Sequence, residues 1–285
     1  LSPYDFGIMA IAMGIYGALG AFLDFGFSAL IIKSKYITPA GLNGIFMIRL
    51  LIGILQALLM YFGAPLVVAF FHHPELAAVF QSLGWVVLFS SLAVVPEALL
   101  RKQLRFKELM YVSVASTVVS GAAGVGLALS GYGVWSLFGQ YFASAFVGSM
   151  AIFLVAGWRP SVPGNLSAIF NDKNYIINTY GLNILGAVVI QGDRLILGRL
   201  LGADLLGLYM RGIGLAQQVQ GMVVSIAEQV GFPALSTIND DAVKIKKSFL
   251  QMVTLMAAVL APIMFMICAL SEPIVHGLYG EKWKA

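Results

Sequence analysis

The run LMYVSVASTVVSGAAGVGLAL, Leu109–Leu129, carries no charged side chain and no alternation of polar with apolar positions. A membrane-crossing helix needs about 20 such residues, whereas a membrane β-strand needs about 9–11 with every second one polar. The run therefore reads as a transmembrane helix. FMIRLLIGILQALLMYFGAPLVVAFF, Phe46–Phe71, has the same character, with Arg49 as its one charge. The whole chain agrees: 285 residues, 60% hydrophobic and 11% charged, with a mean hydropathy of +0.90. A soluble domain has roughly 45–50% apolar and about 25% charged residues. So few charges cannot cover a soluble surface, and in lipid every backbone N–H and C=O must be bonded internally. The expected class is an all-α integral membrane protein.

Apolar runs between polar breaks give eight expected spans: Phe6–Ile32, Ile45–Phe71, Leu76–Leu100, Leu109–Leu129, Val134–Ala156, Tyr175–Leu200, Leu205–Val230 and Phe249–Leu270. The joints hold turn formers such as Thr38-Pro39-Ala40-Gly41, His73-Pro74, Ser130-Gly131-Tyr132-Gly133 and Arg159-Pro160. Short cytoplasmic loops retain Lys and Arg. Alternate joints hold Lys33, Lys35, Arg101, Lys102, Arg105, Lys107, Arg159, Lys173, Lys244, Lys246 and Lys247, while the opposite joints hold none. The first set is expected in the cytoplasm. Lys282 and Lys284 fall on the other side, at the end of the chain. Trp135, Trp158 and Trp283 lie at span ends, where aromatic belts form.

The chain also repeats itself weakly. Leu1-Ser2-Pro3-Tyr4-Asp5-Phe6-Gly7 aligns with Leu201-Gly202-Ala203-Asp204-Leu205-Leu206-Gly207 at an offset of 200 residues. Gly26-Phe27-Ser28-Ala29-Leu30 then matches Gly231-Phe232-Pro233-Ala234-Leu235, and Ala64-Pro65-Leu66-Val67 matches Glu272-Pro273-Ile274-Val275. The matches keep their order and pair the first span with the seventh and the second with the eighth. A six-span period keeps both copies in one orientation, which predicts two pseudo-symmetric six-helix bundles related by an axis along the membrane normal. The expected division is an N-terminal lobe over 1–160, a cytoplasmic linker over 161–174 and the first half of a C-terminal lobe over 175–285. One helix is expected before Leu1 and about three after Ala285, so about eight of twelve are in hand. The start at Leu1, without Met or a basic leader, fits a fragment.

The motifs Leu1-Ser2-Pro3-Tyr4-Asp5-Phe6-Gly7, Asp24-Phe25-Gly26-Phe27-Ser28-Ala29-Leu30-Ile31, Arg101-Lys102-Gln103-Leu104-Arg105-Phe106-Lys107 and Gly133-Val134-Trp135 resemble the polysaccharide-transport family. Asp193-Arg194-Leu195-Ile196-Leu197-Gly198-Arg199-Leu200-Leu201-Gly202 and Gly280-Glu281-Lys282-Trp283 extend the likeness over the chain. It is similar to the lipopolysaccharide and O-antigen flippases, colanic-acid-exporter type, of the multidrug, oligosaccharidyl-lipid and polysaccharide exporter superfamily. The resemblance implies twelve or more helices in two lobes, a central cavity, and movement of undecaprenyl-diphosphate-linked oligosaccharide across the bacterial inner membrane by alternating access. Its implied partners are that substrate, membrane lipids and polysaccharide polymerase or export machinery, with no nucleic acid. Rival readings are an ion-coupled small-molecule or drug antiporter of the same superfamily, and a membrane glycan ligase or polymerase. The short outer joints leave little room for the catalytic loop that the last would need.

Charges within spans cost roughly +2.5–3.5 kcal/mol at a helix centre, so each needs a reason. Arg194 and Arg211 flank the outer turn at Leu201–Asp204 at similar depth, with Asp193 beside them. They read either as a charge cluster fixing the hairpin or as a cationic wall for a diphosphate, since a guanidinium serves carboxylate and phosphate equally well. Arg49 either meets substrate or snorkels to the interface. Asp24, Glu97 and Glu228 lie near cytoplasmic span ends and read as gating or structural charges. The basic run Arg101–Lys107 reads as an anionic-lipid anchor. His72-His73 is a poor metal pair, and Cys268 is the single cysteine, so neither metal nor disulfide is expected. Ser116, Ser120, Gly124 and Ala128 form a small-residue stripe for close helix packing. No Gly-rich phosphate loop and no catalytic signature occur, so neither a cofactor nor an enzymatic activity is expected.

Overall fold

The computed structural model describes residues 1–33, 38–161, 173–226 and 242–279. These fold into helices α1 (Pro3–Phe22), α2 (Phe27–Lys33), α3 (Pro39–Phe71), α4 (Glu75–Lys102), α5 (Phe106–Leu129), α6 (Val134–Ala156), α7 (Lys173–Leu200), α8 (Gly202–Ile226), α9 (Ala242–Ala269) and α10 (Ser271–Tyr279), with no strand among the described residues. Seven of them are long and apolar enough to cross a membrane. The all-α integral membrane class is thereby established.

Helix starts follow local chemistry. Ser2 caps α1 by accepting from the Asp5 backbone N–H at 3.2 Å, while the Asp5 carboxylate accepts from the Ser2 N–H at 2.8 Å, with Pro3 at the first helical position. Thr38 caps α3 in the same way, accepting from the Gly41 N–H at 3.1 Å ahead of Pro39. Both prolines occupy a position whose N–H has no intrahelical partner, so nothing is lost. At the far end of α3, His72 adopts a left-handed conformation, φ 62°, and ends the helix.

Three expected boundaries change. The span Phe6–Ile32 is two helices, because the chain breaks at Leu23–Gly26, where the Asp24 carboxylate accepts from the Gly26 N–H at 3.0 Å and Gly26 takes φ 71°. The stretch Leu205–Val230 is helical as α8 through Ile226, yet it falls short of membrane-crossing apolarity, since Arg211, Gln217, Gln218 and Gln220 interrupt it. The last span starts near Ala242 rather than Phe249. Lysines at 244, 246 and 247 limit how deep a helix can sit but not whether it is a helix.

Contacts divide the chain into two compact units, Leu1–Gly207 and Leu208–Ala285. In the first, α3 pairs with α4, α5 with α6, and α4 with α6, while α7 lies along α1. A core of Phe27, Leu30 and Ile31 from α2 packs on Ile45, Phe46, Val95 and Ala98. Trp158, at the end of α6, joins this core, its ring 5.3 Å from that of Phe46. Outside, Leu129, Leu154 and Val189 expose 85, 84 and 79% of their surfaces, as side chains solvated by lipid do. The second unit holds the rest of α8 with α9 and α10, and α9 likewise exposes Leu255 and Phe265.

The small-residue stripe is a packing device, as its composition implies. Ser116 and Ser120 are buried toward α6, and each hydroxyl donates to a carbonyl of its own helix, Ser113 at 3.0 Å and Thr117 at 3.1 Å. That leaves no stranded donor in the bilayer. Gly124 faces the Gln140 side chain, and Gly139 of α6 faces the tip of Leu127.

Candidate functional site

A cavity of about 470 Å³ lies wholly within the first unit. Tyr16, Gly17, Gly20 and Ala21 of α1, with Asp24 at the helix break, form one wall. Arg49 and Gln56 of α3 form a second, Val87, Ser90 and Ser91 of α4 a third, and Leu182, Asn183, Gly186, Ala187, Ile190 and Gln191 of α7 the last. In a chain this apolar, so many amides and hydroxyls turned to one hollow demand a polar occupant or water.

The α3 wall follows from its sequence spacing. Arg49, Gly53, Gln56, Met60 and Ala64 recur every three or four residues and so share one helix face. Gly53 lets Ser91 of α4 approach, because a Cβ there would collide with its hydroxyl and its Cβ. Gln56 is 3% exposed and donates to the Tyr16 carbonyl of α1 at 3.4 Å. Arg49 donates from one terminal nitrogen to the Leu23 carbonyl at 3.4 Å, at the end of α1. Its Nε is buried with no hydrogen-bond partner among the described residues, and no described carboxylate lies within ion-pair distance. A guanidinium on a cavity wall with one buried N–H still unused keeps hydrogen-bonding capacity that an acceptor in the cavity can take up.

The other candidates take different places. Asp24 lines the cavity, with one carboxylate oxygen committed to the Gly26 turn. Arg194 does not line it: its guanidinium donates to the Gln191 side-chain oxygen at 3.1 Å, and Gln191 is the residue that does. Asp193 accepts from the Arg194 backbone N–H at 2.7 Å. Arg211 belongs to the second unit, so the structure gives no geometry joining it to Arg194. Glu97 pairs with Arg101 at 2.7 Å one turn along α4, an exposed helix contact. Glu228 lies outside the described residues, as do Lys35, Lys282, Trp283 and most of the expected linker.

In the basic run, Arg105 pairs with Glu108 and donates to the Val155 carbonyl at 3.0 Å, which ties α5 to the end of α6. His73 meets Tyr4, Nδ1 to hydroxyl, at 3.4 Å, and no metal-ligand cluster occurs among the described residues. Reading charges alone passed over Tyr16, Gln56, Ser90, Ser91, Asn183 and Gln191. Gln56 was the visible signal, as the one amide in the run Phe46–Phe71.

These features define a multi-pass helical membrane protein with a polar intramembrane cavity. The chain belongs to the polysaccharide biosynthesis protein family, whose model matches residues 1–285. It is 24% identical over 283 residues to the succinoglycan biosynthesis transport protein ExoT of Rhizobium meliloti, covering 99% of this chain and 57% of that protein. It is 25% identical to the teichuronic acid biosynthesis protein TuaB of Bacillus subtilis, covering 92% and 55%. It is 21% identical to the lipopolysaccharide biosynthesis protein WzxC of Escherichia coli, covering 100% and 58%. The chain thus spans little more than half the length of these relatives. No solved structure matches it. The apolar helices and these bacterial relatives make it a multi-pass protein of the inner (cell) membrane.

Proposed function

We propose that the chain is part of a transporter that carries undecaprenyl-diphosphate-linked oligosaccharide from the cytoplasmic to the periplasmic leaflet by alternating access, for polysaccharide or lipopolysaccharide synthesis. The observation that carries this reading is Arg49, a guanidinium with a spare buried donor in a polar cavity of about 470 Å³. A diphosphate bears two or more negative charges that need compensation inside a membrane, and a fixed Arg supplies it without reading the sugar. Amides at Gln56, Asn183 and Gln191 and hydroxyls at Tyr16 and Ser90 suit the sugar side. The distribution of Lys and Arg puts the Asp24 end of the cavity toward the cytoplasm, where lipid-linked units are assembled. Relatives named for transport and for synthesis of succinoglycan, teichuronic acid and lipopolysaccharide support the same class of cargo. In this reading Arg194 acts through Gln191, whose side-chain oxygen it holds at 3.1 Å, and Arg211 remains a candidate contributed by the second unit.

The test is depletion of the full-length protein, which is expected to accumulate undecaprenyl-diphosphate oligosaccharide in the inner leaflet. Arg49→Gln is expected to insert at normal abundance and lose export about 30-fold or more, the consequence of losing a charged hydrogen bond worth roughly 2 kcal/mol. Normal export by Arg49→Gln would overturn the assignment. A second reading, the ion-coupled antiporter, is favoured by Asp24 and Tyr16 in the same cavity. It predicts proton-dependent efflux of a small cation, lost in Asp24→Asn, with no lipid-linked intermediate on depletion.

A further inference from the structure

The contact between α1 and the first turn of α8 has an unusual form. A Cβ added to Gly7 would fall on the Ala203 carbonyl, and one added to Gly207 would fall on the Pro3 carbonyl. Both are collisions with backbone, so these glycines are required by close approach and not by their φ angles. Under the repeat offset of 200 residues, residue 3 corresponds to 203 and residue 7 to 207. The contact of 7 with 203 is therefore turned into the contact of 207 with 3 when the two copies are exchanged. A reciprocal pair of this kind is what a two-fold axis generates. Sequence similarity and backbone geometry, two independent observations, thus agree at the N-terminal turns of α1 and α8.

The seam continues inward from this crossing. Gly14 rests on the side chains of Leu195 and Arg194, Gly198 faces Ile11, and Gly17 faces the Gln191 amide at the edge of the cavity. From Gly17 to Gly7 the helix rises about 15 Å at ~1.5 Å per residue. Ile8, Ile11, Ala12 and Leu206 are fully buried along it, and Ala203 is 2% exposed. Nothing charged crosses this stretch of α1. Between the cavity and the end of the bundle opposite Lys33, the buried face of α1 is thus apolar and closely packed. In transporters built from parallel repeats the copies rock about a central site, so contacts on the repeat axis are the ones that must exchange.

We propose that the α1–α8 crossing, sealed by Gly7 and Gly207, is the outer gate of this transporter, closed in the present structure and parted for release on the far side. The gate rests on the transporter reading above, and only glycine allows it to close fully. An added methyl group at either position holds the helices apart and shifts the balance toward the open form.

The experiment uses the full-length protein in intact cells, its cysteines replaced and a single reporter, Ala187→Cys, placed on the cavity wall. An impermeant maleimide added outside is expected to label the reporter about tenfold faster in Gly7→Ala or Gly207→Ala than in the parent, equivalent to roughly 1.4 kcal/mol in the closed-to-open balance. Unchanged labelling in both variants at normal abundance overturns the proposal. Should either variant fail to accumulate, Ala203→Cys keeps both glycines and reports directly on the seam. It is expected to react several-fold faster in cells that synthesise the lipid-linked unit than in cells blocked at its first sugar transfer, and equal rates overturn the gate. Depletion without accumulation of a lipid-linked intermediate would remove the transporter reading itself, so the two failures are distinguishable.

Discussion

Two helix contacts in this protein are built from the same small residues and differ in what the glycines face. Between α5 and α6, Gly124 and Gly139 look onto the side chains of Gln140 and Leu127. Between α1 and α8, Gly7 and Gly207 look onto carbonyl groups. A side chain can turn aside, at a cost of about 0.5–1.5 kcal/mol if it is left ~30° off a rotamer minimum, whereas a helix backbone moves only as a body. The first contact is adjustable packing and the second sets how closely two helices can lie. Small-residue content alone, as a sequence displays it, does not distinguish them.

The comparison breaks first at its largest expected effect. Gly7→Leu or Gly207→Leu must drive the helices apart, and thermal melting in detergent is expected to show a loss beyond the usual 1–3 kcal/mol of overpacking, together with loss of export. Melting unchanged by both would mean that the seam opens without cost, and the contrast with α5–α6 would fail. A middle-sized effect separates the two charged sites. Arg49→Gln removes a cavity charge, while Arg194→Gln removes only the support of Gln191 and is expected to weaken export by about fivefold, as loss of roughly 1 kcal/mol implies. Gln191→Ala should then mask any further effect of Arg194→Gln, because a positioning residue acts through its partner. Additive losses would place Arg194 on the substrate directly.

Smaller effects sharpen the α5–α6 side. Gly139→Ala requires the tip of Leu127 to turn aside, a cost offset by the helix preference of Ala over Gly, about 1 kcal/mol, so melting is expected to stay near the parent. Ser116→Ala and Ser120→Ala remove hydroxyls bonded only within α5 and are expected to change stability by less than about 1 kcal/mol. Independently of either contact, a cysteine at exposed Gly131 is expected to react with an impermeant reagent from outside, and one at exposed Gln103 to remain protected. Labelling of Gln103 from outside would invert the orientation and with it the side toward which the gate opens.

Much of the architecture was legible in the residues, for a physical reason. A bilayer leaves helices and closed barrels as the only spanning forms, so uncharged runs such as Leu109–Leu129 declare themselves, and Ser2-Pro3-Tyr4-Asp5 marks a helix start by satisfying its own free N–H groups. The break at Asp24–Gly26 was less visible, because a four-residue turn closed by one carboxylate does not interrupt an apolar run long enough to register. The cavity was half legible. Arg49 and Asp24 announced themselves by the cost of charge in lipid, while Arg194 announced itself by the same cost and proved to face Gln191 instead.

What the sequence by itself determined is therefore the class and the approximate spans, and it displays the alternation of basic joints and the matches spaced by about 200 residues, all properties of composition and period along one chain. The tertiary structure decided which polar groups share a hollow and which are held by their neighbours, because that depends on how helices are rotated about their axes. It also decided that Gly7 and Gly207 meet carbonyls of the facing helix turn. A glycine in a helix carries no record of what lies beyond its missing side chain until a second helix is placed against it.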